Sequence, residues 1–140
     1  ADNNTAIGKD ALRLNTTGTQ NTAVGSGALD ANTTADENTA MGYQALGANT
    51  TGALNTAVGA YCLDVNTTGA NNVGIGANTL GANTTASNNT GVGTRADITV
   101  AGIIYTGCWT VSANADCVGV LPDADVTVNE PLYNPTSASD

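Results

Sequence analysis

The chain has 140 residues, 41% of them hydrophobic, with a formal net charge of −9 and only three basic residues, Lys9, Arg13 and Arg95. That balance excludes a nucleic-acid footprint, which needs a basic face, and disfavours an anionic membrane surface. There is no histidine, so His-based catalytic triads and His metal sites are excluded, and no apolar run is long enough to span a bilayer.

The start, Ala-Asp-Asn without Met, reads as a processed secretory product, so an extracellular, secreted or cell-surface location is expected. From Asn4 to Gly93 one sentence is written five times, with the opening of a sixth. The copies are NTAIGKDALRLNTTGTQ, NTAVGSGALDANTTADE, NTAMGYQALGANTTGAL, NTAVGAYCLDVNTTGAN and NVGIGANTLGANTTASN, followed by NTGVG. They begin at Asn4, Asn21, Asn38, Asn55, Asn72 and Asn89, a spacing of 17 residues. Helical repeats typically take roughly 33–47 residues, and Asn, Thr and Gly favour turns, caps or strands over helix interiors. One coil of a parallel β-solenoid fits instead. Two short strands, about TAVG and ALxx, alternate with turns at GxxA and NTTG, and like positions stack at roughly 4.8 Å per coil.

The columns of the stack follow from the alignment of the copies. Ile7, Val24, Met41, Val58, Ile75 and Val92 form one apolar ladder and Leu12, Leu29, Leu46, Leu63 and Leu80 another. Both are expected to point inward. Small residues sit beside them, at Ala6, Ala23, Ala40 and Ala57 and at Ala11, Ala28, Ala45 and Cys62, and let a narrow coil close. Gly8, Gly25, Gly42, Gly59, Gly76 and Gly93 recur where the backbone needs positive φ or a close approach between coils. Asn15, Asn32, Asn49, Asn66 and Asn83 open the Asn-Thr-Thr turn, where stacked amides bond one another and the turn backbone. A coil with two or three large apolar side chains has a thin core, which favours association, laterally into a trimer or end to end through an open first coil.

The period fades after Gly93, so the chain divides into a solenoid over 1–93 and a C-terminal unit over 94–140. DITVAGIIY (97–105), GCWTVS (107–112), CVGVL (117–121) and DVTVN (125–129) read as strands of a small antiparallel β unit. The tail, with Pro131 and Pro135, reads as extended. Cys108 and Cys117 flank the SANAD turn and suit a cross-strand disulfide in an exported protein. Cys62 reads as a buried small apolar residue.

No catalytic, cofactor-binding or metal-binding residues are expected. The acidic pairs Asp36-Glu37 and Asp123/Asp125 resemble no calcium loop, and the Gly-rich stretches lack the Lys of a phosphate loop. Three surface features remain. Thr16, Thr33, Thr50, Thr67 and Thr84, each followed by a second Thr, form ladders of the kind that order water on ice-binding solenoids. The sequon N-x-T occurs at Asn3, Asn15, Asn32, Asn49, Asn66, Asn83 and Asn88, with five of these in one row as candidate glycosylation sites. Tyr43, Tyr61 and Trp109 are candidates for stacking on sugars.

The NTAIG, NTAVG and NTAMG cores resemble the SVAIG-type repeats in the heads of YadA-like trimeric autotransporter adhesins. The longer NTAxGxxALxxNTTG sentence is similar to repeats of bacterial and phage tail-fibre-like proteins. The resemblance covers roughly residues 4–93 and implies a parallel β-roll, usually trimeric, exposed outside the cell for adhesion or as a shaft. The period of 17 is longer than that of the usual adhesin head, and no coiled-coil stalk or anchor follows in the sequence. The leading expectation is therefore a non-enzymatic, self-assembling extracellular filament or fibre subunit. A trimeric adhesin or fibre head that binds a host surface or glycan is the alternative, and an ice-binding solenoid the third.

Overall fold

The computed structural model describes residues 1–97 and 104–106. The chain is a parallel β-solenoid. Seven three-residue strands are named in chain order: β1 (Thr5–Ile7), β2 (Thr22–Val24), β3 (Thr39–Met41), β4 (Thr56–Val58), β5 (Val73–Ile75), β6 (Thr90–Val92) and β7 (Ile104–Thr106). They form one sheet in the order β1 to β7, every neighbouring pair parallel. From β1 to β6 the register is set by the repeat: Thr22 pairs with Thr39 and Val24 with Met41. Between β6 and β7 it shortens, Thr90 pairing with Ile104.

Strands β1 to β6 place Thr, Val, Ile or Met, mostly β-branched, at their first and third positions and run up to the recurring glycine. These glycines take φ from +118° at Gly93 to +142° at Gly42. They also face one another across the coils: a Cβ on Gly8 would stand 2.6 Å from the carbonyl carbon of Gly25. The two demands expected at this column, left-handed backbone and close approach, therefore coincide, and only glycine meets both.

The predicted second strand, ALxx, is a column of turns. Its coils are still bonded to one another, Leu29 N donating to Ala45 O at 3.0 Å and Leu63 N to Thr79 O at 2.9 Å. A strand does not form because Leu12, Leu29, Leu46, Leu63 and Leu80 all take left-handed φ, between 51° and 53°. Two further columns are left-handed: one holds Asp10, Gln44, Tyr61, Asn78 and Arg95, the other Gln20, Glu37, Leu54, Asn71 and Asn88. Each such non-glycine residue costs roughly 1–2 kcal/mol, which the stacked coils must offset through packing and hydrogen bonds.

The core is a narrow seam. Leu29, Leu46, Leu63 and Leu80 are fully buried, facing Ala23, Ala40 and Ala57 from the strands and Ala28, Ala45 and Cys62 from the turns. The expected inward ladder of Val24, Met41, Val58 and Ile75 points outward instead. Met41 is 45% exposed and Ile75 43%, while Val24 and Val58 are half-buried; Ile7 and Val92 in the same column are also exposed. Strand side chains alternate between faces, so the Ala and the Val of T-A-V cannot both enter the seam. The leucines already fill it, and opposite them only a methyl group, or nothing, fits.

The sixth coil runs past Gly93. Ala96 is fully buried in the column of Ala28, Ala45 and Cys62, its carbonyl accepts from Leu80 N at 2.8 Å, and the Asp97 carboxylate accepts from Ala82 N at 3.0 Å. In the predicted C-terminal unit, β7 extends the sheet in parallel. The other predicted strands of that unit, with Cys108, Cys117, Trp109, Asp123 and Asp125, lie outside the described residues.

Candidate functional site

The outer face of the β1–β6 sheet carries two side-chain columns from alternate strand positions. One is Thr5, Thr22, Thr39, Thr56, Val73 and Thr90; the other is Ile7, Val24, Met41, Val58, Ile75 and Val92. Neither contains a charged group, although the chain carries −9 overall. At the corner beyond the glycines, Tyr43 and Tyr61 meet edge to face, with ring centroids 5.2 Å apart and planes at 79°. Both are exposed. Perpendicular rings offer no common plane for stacking a sugar. Partial desolvation, with a smaller contribution from Tyr43, holds the Tyr61 phenol above its ordinary value.

Behind the sheet two buried columns of asparagine lock the coils. The first is Asn21, Asn38, Asn55, Asn72 and Asn89, above Asn4. Each Oδ1 accepts the backbone N–H of the asparagine one coil on, at 2.8 Å for Asn21 to Asn4 and 3.0 Å for Asn38 to Asn21. The second is Asn15, Asn32, Asn49, Asn66 and Asn83, in which each Nδ2 donates to the Oδ1 of the previous coil, at 2.9 Å for Asn32 to Asn15 and 3.0 Å for Asn66 to Asn49. The two columns converge on shared carbonyls: Gly69 O accepts from Asn55 Nδ2 and Asn66 Nδ2, both at 2.9 Å. Among the described residues no buried side-chain polar atom lacks a partner.

This network removes the row of sequons from the surface. Asn32, Asn49, Asn66 and Asn83 are fully buried, and Asn15 is half-buried with its Nδ2 bonded to Gly18 O at 2.9 Å. An amide nitrogen committed to the interior of the stack cannot carry a glycan in the folded chain. Of the seven sequons only Asn3 and Asn88 are exposed. The first asparagine column had no assigned role in the sequence reading, yet its recurrence at the first position of all six copies was the signal for it.

The first threonine ladder of the turn is likewise occupied. The hydroxyls of Thr16, Thr33, Thr50 and Thr67 donate to the carbonyls of Thr33, Thr50, Thr67 and Thr84 at 2.8, 3.1, 3.0 and 3.0 Å. These hydroxyls bridge coils, whereas the second threonines, Thr17, Thr34, Thr51, Thr68 and Thr85, are exposed.

Cys62 is fully buried. Desolvation pushes its thiol up to about 12, which leaves it an inert packing group. Arg13 clamps Asp30 of the next coil, Nε to Oδ1 at 2.8 Å and Nη2 to Oδ2 at 3.1 Å. Desolvation holds the Asp64 carboxyl above its ordinary value, against backbone N–H groups that favour ionisation. Among the described residues no three His, Cys, Asp or Glu side chains gather to hold a metal ion, and no helix is long and apolar enough to cross a membrane. The described residues present an uncharged aliphatic and threonine face backed by a hydrogen-bonded frame. No family model, curated protein or solved structure matches the chain.

Proposed function

We propose that this chain is a non-enzymatic structural subunit that self-assembles into a filament or fibre outside the cell. The observation that carries the proposal is the frame itself. The first five coils repeat the leucine column and the two asparagine columns, so the described residues form a regular stack whose buried amides hold coil to coil. Six coils at roughly 4.8 Å make a short shaft, which joining copies lengthens into a fibre. The thin core supports the same reading, because it leaves much of the aliphatic side-chain area outside the seam. The sentence-like repeat, similar to that of adhesin heads and tail fibres, supports an exported setting.

Negative-stain electron microscopy with light scattering on the purified chain tests this. Uniform fibres or rods of several chain masses are expected. Strictly monomeric particles across the accessible concentration range refute it. Discrete trimers that bind a cell surface shift the assignment to an adhesin or fibre head.

A further inference from the structure

We infer that the outer face of the β1–β6 sheet is the surface through which one copy of this chain packs on another. The inference rests on the self-assembly reading above and assigns that assembly to one face.

Three observations point to a second copy as the occupant. The first is charge. In a chain of net charge −9, most surfaces repel their own copies. The turn that follows Asn-Thr-Thr carries Asp36 and Glu37, and the leucine-side turns carry Asp10, Asp30, Asp64 and Asp97. The two columns of the sheet face carry no charge, so this face meets itself without opposing carboxylates.

The second is composition. Ile7, Met41, Ile75 and Val92 are exposed in one column with the half-buried Val24 and Val58, beside Thr5, Thr22, Thr39 and Thr56, whose hydroxyls have no hydrogen-bond partner among the described residues. In the Asn-Thr-Thr turn, by contrast, the first threonines, Thr16, Thr33, Thr50 and Thr67, spend their hydroxyls on the next coil. Solvent-accessible hydroxyls at the margin of an aliphatic strip match the polar rim and apolar centre of a protein interface. Met41 projects from the middle of the strip as a flexible side chain suited to such contacts.

The third is self-complementarity. From coil 1 to coil 5 the column reads Ile7, Val24, Met41, Val58, Ile75, the same from either end. A second copy laid parallel in register, or antiparallel about a two-fold axis at the centre, brings Met41 against Met41 and sets the aliphatic columns at matching heights. Such matching of a patch to itself is what an isologous contact requires.

The test compares three versions of the full chain by sedimentation velocity over a concentration series: unsubstituted, Met41→Lys, and Thr51→Lys on the exposed turn edge. Both substitutions change net charge equally and occupy exposed positions, and circular dichroism melts check that each folds. Met41→Lys is expected to weaken self-association more than about tenfold, the loss of a central anchor, and Thr51→Lys to leave it unchanged. In the same series Met41→Cys is expected to give a dimer with a short bifunctional maleimide, above the level seen for the unsubstituted chain. If the unsubstituted chain associates and Met41→Lys associates equally well, the assignment to this face is overturned while the self-assembly reading stands. If the unsubstituted chain is monomeric throughout, both fall. Thermal hysteresis from a monomeric chain, abolished by Met41→Lys, overturns the second copy in favour of an ice lattice as the occupant.

Discussion

Two adjacent coils show how closely the seam is fitted, through a pair of departures from the repeat. Where the turn column changes from Ala to Cys62, the strand residue of the next coil changes from Ala to Gly74; where it changes to Thr79, the next strand residue is Gly91. A Cβ on Gly74 would stand 2.5 Å from Cys62 Sγ, and one on Gly91 would stand 2.9 Å from Thr79 Cγ2. Each larger turn residue thus occupies the space an alanine methyl fills elsewhere. Gly74→Ala at an ordinary backbone φ gains about 0.4–1 kcal/mol from reduced unfolded-state freedom but forces an overlap costing about 1–3 kcal/mol. A net loss of about 1–2 kcal/mol is expected. Cys62→Ala removes the sulfur and leaves a methyl-sized void, costing about 1 kcal/mol. The double variant restores the Ala–Ala pairing of Ala45 and Ala57, fills the void with the new methyl, and is expected within about 0.5 kcal/mol of the native chain. The coupling is therefore about 1.5–3 kcal/mol and of rescuing sign, at the upper end of what contacting residues show. Urea unfolding followed by circular dichroism, with equal m-values across the four proteins, measures it. Additive single and double effects within about 0.5 kcal/mol would refute the stated packing of strand against turn.

Leu46→Ala, in the filled seam, is expected to cost about 2–5 kcal/mol, whereas Met41→Lys at monomeric concentration stays within about 0.5 kcal/mol of native; urea midpoints in the reverse order mean that the strand faces are assigned backwards. Asn49→Asp keeps the acceptor for Asn66 Nδ2 but turns a carboxylate toward Gly52 O and Asn32 Oδ1, to which Asn49 now donates. A loss of about 3–5 kcal/mol at neutral pH, partly recovered in acid, is expected, and a pH-independent effect argues against the ladder. Leu54→Asn, at an exposed residue with φ of 61°, replaces a side chain ill-suited to the left-handed region and is expected to raise stability by about 0.5–1 kcal/mol; no rise in thermal midpoint contradicts it. For Asp64 the folded value lies above its ordinary 3.8, so ionisation weighs against the fold: its contribution is fully present below pH 3.8 and is lost as pH rises through the raised folded value. Asp64→Asn should therefore raise the melting temperature at pH 7 relative to the native chain but not at pH 3, and an equal difference at both pH values excludes this cause.

The period of 17 by itself determined much of this protein. Parallel coils, the register of Thr22 on Thr39, the stacked glycines and the column of Leu29, Leu46, Leu63 and Leu80 all follow from like residues recurring at one spacing, because a solenoid places them one above another. Recurrence also flagged the turn asparagines, although it left open whether Asn32 or Asn49 faced a glycan or a neighbouring amide. Tertiary structure alone settled that, by closing the turn over them and giving each amide a carbonyl to bond. It also decided which side of Thr-Ala-Val enters the core. A period fixes that Ala57 and Val58 point to opposite faces and is silent on which face is inside. Hydrophobicity favours the valine, but the lumen is only as wide as a leucine and a methyl group, so the smaller residue goes in. The leucines reach that lumen from a left-handed backbone, a conformation that no single coil would favour and that the cooperative stack imposes. The residue best able to stabilise a core thus became the residue best placed to meet a partner.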